Sequence, residues 1–199
     1  NINVEMTKKI AKFYLVSEPF KSLKFLKNFL HLPDIAESWM YDNVKGDIKI
    51  EELYAEYDLI NNHIIENSIQ GKAQIKDAKI RFHKDVDAVN TKSLDIFFKD
   101  NRLHFNLMEP MFKDKKLDGS FVLINNLTSE KNGQVDVFLK TNSKLDKDIL
   151  DILKAYNITL PIIQKNGNTQ ASLLMKFPYD TTKNMSTYGE FFLNDAKVA

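Results

Sequence analysis

The residues that most often perform acid–base catalysis or bind metal ions are scattered along this sequence. The four histidines, His31, His63, His83 and His104, stand alone. None has a second histidine four residues away, and the chain contains no cysteine, so the ligand spacing of a zinc site is missing. The glycines occur singly, without a Gly-x-Ser-x-Gly turn or a phosphate-binding glycine loop.

The acidic residues offer no stronger candidate for catalysis. Asp85, Asp87, Asp95 and Asp100 occur near lysines, in segments predicted to be loops or strand edges. That arrangement is typical of a solvated surface rather than of a catalytic carboxylate pair. The sequence therefore predicts a protein that is not an enzyme and that uses no cofactor or metal ion.

The overall charge argues against nucleic acid as a partner. The 199 residues include 28 basic and 27 acidic ones, and among the basic residues only Arg81 and Arg102 are arginines. The electrostatic field is therefore weak, and guanidinium groups for phosphate binding are few. No apolar run reaches the roughly 18 residues of a membrane-spanning helix. Since the chain begins without methionine and ends inside a repeated strand pattern, we expect it to be a segment of a longer protein.

A short pattern recurs along the chain and predicts its main elements. Residues 71–82 read GKAQIKDAKIRF, and related patterns occupy residues 46–53, 189–198 and, more loosely, 119–127. Each has a glycine, then apolar residues two and four places later, then Asp, Glu or Asn. Alternation with a period of two is typical of a strand with one buried face. Its repetition indicates a sheet built from similar long strands.

Three of these patterns change phase in the middle. In residues 71–82, Ala73 and Ile75 alternate at odd positions, whereas the apolar residues after Asp77 lie at even positions. One extra residue would move the apolar set to the other face unless the strand bulges. We therefore predict bulges at Glu51–Glu52, Asp77 and Asp195. The alternative is a pair of short strands joined by a polar turn.

Three helices are predicted beside the strands. Residues 19–30 place apolar side chains on one face and lysines on the other, which indicates a helix packed on the sheet or, alternatively, lying on a membrane surface. Pro33 suits the start of a second helix, which Trp39 would anchor to the sheet. In residues 143–156, Ser143 and Asp146 resemble a capping box at the start of the third helix.

The predicted fold class is α+β, with a long, twisted, mainly antiparallel sheet and about three helices packed on it. The whole chain, residues 1–199, forms a single segment. We divide it into a helical pair at 19–45, a β-rich part at 46–142, a helix at 143–160 and terminal strands at 167–199. Strands that follow one another directly favour antiparallel pairing over alternating strand and helix units.

Several strands carry apolar residues on both faces. Phe97 is followed by Phe98, Phe191 by Phe192, and residues 173–175 are continuously apolar. In a sheet with one solvated face, such neighbours would alternate with polar residues. Either helices and a curled sheet cover both faces, or one face is an open groove for an apolar ligand such as lipid chains. The residues alone leave both explanations open.

The order of several short motifs resembles that of a known family. Over a region from about Pro19 to the C-terminus, the chain is similar to the AsmA-like superfamily of bacterial envelope proteins, and within it to the YhdP-type branch. The motifs are Leu32–Pro33, Trp39–Met40, Val44–Lys45–Gly46, Leu117–Asp118–Gly119 with Leu123, Asn126 and Leu127, the helical pattern at 145–156, Gly167 with Leu173 and Phe177–Pro178, and Gly189 with Asn194–Asp195–Ala196.

This resemblance implies a membrane-anchored protein that spans the periplasm. Repeated β units of the family form a curved sheet whose hydrophobic groove is thought to carry phospholipid between the inner and outer membranes. The expected function is therefore envelope lipid transport and outer-membrane homeostasis, in the periplasmic part of a protein anchored in the inner membrane. Expected partners are phospholipid acyl chains, neighbouring repeats of the same chain and other envelope proteins. The alternative function is a periplasmic scaffold or interaction module without a ligand.

The family supplies no catalytic residues and no strict lipid-binding motif, so the groove lining is predicted from the strand patterns. The candidates are the large apolar residues of the predicted strands, namely Phe97, Phe105, Leu107, Phe121, Leu123, Phe138, Leu173, Met175 and Phe191. Such a lining would shield acyl chains by apolar burial, at ~25 cal/mol per Å2, without directional chemistry.

Overall fold

A long antiparallel sheet dominates the structure, a computed structural model. It describes residues 1–24, 27, 32–65, 68–127, 129, 131–160, 162 and 164–198. The strands are β1 (Ile2–Met6), β2 (Ile10–Leu15), β3 (Val44–Asp58), β4 (His63–Ile64), β5 (Gln70–Ile80), β6 (Val89–Lys99), β7 (Arg102–Met108), β8 (Met111–Phe112), β9 (Lys115–Lys116), β10 (Phe121–Asn125), β11 (Gln134–Ser143), β12 (Gln164–Pro178) and β13 (Ser186–Val198). The helices are α1 (Asp34–Glu37), a π-helical turn (Ser38–Asp42) that continues it, and α2 (Lys147–Ala155).

The main strands form a meander in the order β1-β2-β3-β5-β6-β7-β10-β11-β12-β13, and neighbouring strands pair antiparallel. The short strands β4, β8 and β9 pair at its margins. Tight turns make this order possible. Between β6 and β7, Asp100 and Asn101 both have positive φ, 52° and 57°, which is the backbone that suits a two-residue hairpin. The predicted long, mainly antiparallel sheet is confirmed.

The predicted bulges are present in the long strands. On β3, Glu51 is an extra residue between the pairs Ile50–Ala73 and Glu52–Lys72. On β5, Asp77 has a φ of +48°, and the pairing with β3 shifts there. Both strands continue through their bulges, so the alternative of two short strands is wrong for them.

The third predicted bulge falls near the end of β13. A register irregularity lies between the pairs Asn168–Asn194 and Asn166–Lys197, and this span contains Asp195. Because β13 runs on to Val198, the strand tolerates the irregularity without ending.

The two faces of the sheet differ in what covers them. One face, here called the core face, carries the buried apolar residues that lie opposite one another in register, such as Leu94 with Leu107 and Val137 with Met175. The helices and residues 110–117 contribute side chains to the same buried cluster. The opposite face, here called the outer face, carries the alternate residues, such as Phe97 and His104.

The helical predictions are corrected in part. Phe20 forms an isolated β-bridge with Ile48, so the start of the predicted helix at 19–30 is extended rather than helical. Residues 25, 26 and 28–30 of that prediction lie outside the described residues. The second predicted helix exists as α1 and its π-helical turn, and Trp39 packs against Phe82 with ring centroids 5.6 Å apart.

The third helix begins later than predicted. Its N-cap is Asp146, whose side chain accepts hydrogen bonds from the backbone N–H groups of Asp148 and Ile149. Ser143 ends β11 instead of capping the helix. A carboxylate at the N-cap also interacts favourably with the helix dipole, which explains why Asp146 takes this position.

A nearly buried lysine fastens α2 to the β8–β9 hairpin. Lys115 is 6% exposed, and its Nζ lies 2.7 Å from Asp114 Oδ1 and 2.8 Å from Asp146 Oδ2. Burial acts to lower the pKa of Lys115, but the hydrogen bonds to these two carboxylates outweigh it and raise the pKa. The lysine therefore stays charged, and it joins the hairpin to the N-cap of α2.

We expect Gly46→Ala to be strongly destabilising. A Cβ atom on Gly46 would lie 2.5 Å from Ile75 Cγ2 and 2.7 Å from the Lys76 carbonyl oxygen, at a φ of +154°. Strain and overpacking together predict a loss of about 2–4 kcal/mol in the free energy of unfolding, measured in urea by Trp39 fluorescence. At Gly119, where φ is +85° and the nearest atom is 3.5 Å away, alanine should cost only about 1–2 kcal/mol. Equal losses at the two sites would contradict this account.

We expect Lys115→Met to lower the free energy of unfolding by about 1–2 kcal/mol at neutral pH, since two carboxylates lose their partner and remain partly exposed to water. Lys115 lowers the pKa of Asp114, so the stabilisation that it gives is present above the normal carboxylate pKa of about 4 and is lost as pH falls below it, through the lowered pKa. The deficit of the variant should shrink there. Lys147→Met removes an exposed lysine from α2 and should change stability little. An equal effect of both variants would contradict the conclusion that Lys115 fastens α2 to the β8–β9 hairpin.

Candidate functional site

A large apolar cavity lies on the core face. It occupies about 780 Å3 between strands β3, β5, β6 and β7 on one side and residues 21–24, Leu32 and 40–42 on the other. This volume is within the range of roughly 300–1,000 Å3 that is usual for ligand sites. We call it the groove cavity. Representative lining residues from the four strands are Ile50, Leu53, Ala55, Ala73, Ile96 and Leu103.

The bulge on β3 and small residues on β5 together create this space. Because Glu51 is extra, Leu53 and Ala55 lie on the same face as Ile48 and line the cavity with it. Opposite Leu53 the neighbouring strand has Gly71, which has no side chain to fill the gap. Large aliphatic walls above small residues leave an apolar volume that the described residues do not fill.

The charged residues of the groove cavity are mainly basic. Of the described residues that line it, four are lysines and two, Asp42 and Glu52, are acidic. Lys24 Nζ lies 2.8 Å from Asp42 Oδ1. Its hydrogen bond is the largest influence that lowers the pKa of Asp42, and the charges of Lys27 and Lys45 act in the same direction. Several ammonium groups thus surround one carboxylate.

One polar group in the wall of the groove cavity is unsatisfied. Tyr41 is 5% exposed, and its hydroxyl has no hydrogen-bond partner among the described residues. Burial, together with the nearby carboxylate of Glu37, raises the pKa of this phenol, so it stays neutral. The ammonium of Lys27 lies 5.2 Å from the centre of the Tyr41 ring, where a cation is attracted to the aromatic face.

The structure divides the nine predicted lining residues between the two faces. Phe105 lines the groove cavity. Leu107, Leu173 and Met175 are also on the core face, but they are buried among other side chains, and Phe191 packs at the margin of the same cluster. The other four lie on the outer face, namely Phe97, Phe121, Leu123 and Phe138. Contact of any of the nine with lipid stays a prediction.

The outer-face residues form their own small aromatic cluster. The rings of Phe121 and Phe138 are 5.1 Å apart, and His104 packs edge-on against Phe121 at 5.4 Å. Burial lowers the pKa of His104, which favours the neutral imidazole. These contacts cover half-buried apolar surface on the outer face. They explain why some strands carry apolar residues on both faces of the sheet.

Sequence reasoning missed most of the groove cavity. Phe98 lines it, whereas the adjacent Phe97 is on the outer face and 37% exposed. The phase set by Leu94 and Ile96 could have identified Phe98, since residues two apart share a face. The small lining residues, such as Ala73, could not be identified in this way. A search for large apolar side chains finds residues that fill space, not the small residues that leave a cavity.

The described residues that line the groove cavity include no histidine. The described part of the chain contains no group of three or more His, Asp or Glu side chains that could hold a metal ion. His83 lies near Asp85 and against the ring of Tyr156, while His31 is outside the described residues. Among the helices that the structure describes, none is long and apolar enough to cross a membrane.

Comparisons with known proteins identify one family. The family model described as YhdP protein matches residues 31–199, which include the bulged strands and the groove cavity walls from Leu32 onward. No curated protein and no solved structure matches the chain.

Proposed function

Because the chain belongs to the YhdP protein family, we propose that it is a segment of a bacterial lipid-transport protein whose groove cavity shelters the acyl chains of phospholipid on their way between membranes. The family is one of envelope proteins related to lipid transport. A periplasmic location, in a protein anchored in the inner membrane, belongs to the same proposal.

The observation that carries this proposal is the unfilled apolar volume on the core face. Protein interiors are normally packed as densely as organic crystals, so a cavity of about 780 Å3 walled by Ile50, Leu53 and Ile96 is unusual for a purely structural sheet. Such a wall attracts hydrocarbon at ~25 cal/mol per Å2 of apolar surface removed from water. Acyl chains suit an apolar wall because they bind by burial of hydrocarbon surface and form no hydrogen bonds.

A scaffold without a ligand is the second candidate. The observation in its favour is that β1 and β13 are sheet edges, and that Ile2 and Met6 on β1 are exposed. Edges of this kind can pair with further strands, either of the same chain or of other envelope proteins. In this case the groove cavity would be empty of lipid in cells.

We expect Ala55→Phe to reduce lipid binding. Ala55 is partly exposed on β3 and borders the groove cavity. A phenyl ring there would occupy part of the cavity volume proposed for an acyl chain, without displacing core residues. Native mass spectrometry of protein mixed with phosphatidylglycerol should show several-fold lower lipid occupancy than in the unchanged protein.

The matched control is Ala171→Phe, which places the same ring on a partly exposed residue of β12, away from the groove cavity. Its lipid occupancy should equal that of the unchanged protein. No bound lipid in any of the three proteins would refute the proposed function and favour the scaffold, while equal losses in both variants would mean that the lipid binds elsewhere.

A further inference from the structure

A second concavity lies over the outer face of strands β11, β12 and β13. It encloses about 750 Å3 and is bordered at one side by Lys116 and Asp118, in the segment between β9 and β10. The groove cavity lies at β3–β7 on the core face, and the two spaces share no lining residue among those described. We call the second concavity the outer-face site.

The register of β11–β13 sets the side chains of this site in three rows. Each row has one residue from each strand, and residues two apart along a strand share a face, so all three rows lie on the outer face with Phe138. In the order β11, β12, β13, the rows are Phe138–Leu174–Tyr188, Lys140–Ser172–Glu190 and Asn142–Gln170–Phe192. The rows together cover about 14 Å along the strands and about 10 Å across them.

The polar side chains of the outer-face site are unpartnered. Apart from Thr141, none of them forms a hydrogen bond or an ion pair with another described residue, namely Lys116, Asp118, Lys140, Asn142, Gln170, Ser172 and Glu190. Elsewhere on the outer face polar side chains bond to one another, as Gln74 does to Asp95 and Asn125 to Asp136. Donors and acceptors around this concavity are therefore left available to a ligand.

An exposed phenyl ring lies beside these polar groups. Phe192 is 60% exposed, and its ring stacks against no other described aromatic ring or cation. Tyr188, on the same face of the same strand, has Lys176 Nζ 6.0 Å from its ring centre, and it does not line the site. The Phe192 ring thus offers an open stacking surface at the margin of the polar rows.

The charges and their positions exclude several classes of partner. Lys116 and Lys140 balance Asp118 and Glu190, whereas phosphate groups and nucleic acids require an excess of positive charge. Protein interfaces have an apolar centre and a polar rim, but here the charged row is central and the rings are marginal. Because β11 and β12 already pair on both sides, a peptide cannot add to them as a further strand.

We propose that the outer-face site binds an uncharged oligosaccharide. Sugar hydroxyl groups both donate and accept hydrogen bonds, so they match the amide of Gln170, the carboxylate of Glu190 and the ammonium of Lys140. The apolar face of a sugar ring packs on Phe192. This site is on the opposite face of the sheet from the groove cavity, and the inference does not rest on the proposed function.

Amide chemical shifts of the isotope-labelled protein test this inference, with chitotetraose, cellotetraose and maltotetraose as probes. At least one probe should bind with a Kd of about 1 mM, a weak affinity that suits a shallow site with a single stacking ring. The largest shifts should fall at residues 138–142, 170–172 and 190–192. An absence of shifts with all three probes at millimolar concentration would overturn the inference, and so would shifts centred on any other part of the chain.

Substitutions at the exposed rings test the stacking contact. Phe192→Ala should raise the Kd of the bound probe about fivefold, while Phe192→Tyr keeps the ring and should leave it unchanged. The matched control is Tyr188→Ala, which removes an equally exposed ring from the same face of β13 and should not alter binding. Both rings are exposed, so folding should be unaffected. Equal losses at Phe192 and Tyr188, or no loss at Phe192, would overturn the assignment of the site.

Discussion

The phase of side-chain alternation is the constraint on which the rest of this structure depends. In a strand, a shift of one residue exchanges the two faces, so a long strand keeps one apolar face only if each shift is absorbed by a bulge. Glu51 on β3 and Asp77 on β5 absorb such shifts. Because of them, Ile48 and Leu53, which differ in phase, both lie on the core face and border one cavity.

The same constraint links the cavity to the cover of the sheet. The helical segment from Asp34 to Asp42 and helix α2 both contribute side chains to the buried cluster of the core face. Both reach Phe82, just after β5: Trp39 packs against its ring, and the Tyr156 hydroxyl donates to its carbonyl oxygen. Gly71 and Ala73 lie at the opposite end of β5, where they border the groove cavity.

Much of the fold could be predicted from the sequence because alternation and turn residues are local signals. The bulge at Asp77 followed directly from the alternation. The helix cap did not, since Ser143 and Asp146 are both good cap residues, and Asp146 but not Ser143 also contacts Lys115. That contact joins residues 31 positions apart, which no local pattern reports.

The candidate site was harder to predict than the fold for a related reason. A cavity depends on missing volume, and the residues responsible, Gly71 and Ala73, are defined only by what lies across from them in register. The sequence pattern instead selected large residues such as Met175, which fill space. Family resemblance supplied the expected function, but it contained no residue-level lipid motif to correct this choice.

An unfilled apolar space reduces the stability of the empty protein, because the atoms around it lose packing contacts that nothing replaces. Under the proposed function, an acyl chain in the groove cavity would restore these contacts, so binding and stability would be coupled through the same residues. Apolar contacts of this kind respond to the length and number of chains rather than to their chemical identity. Under the proposed function, selection among lipids would have to come from the polar lining of the cavity, where ammonium groups outnumber carboxylates among the described residues.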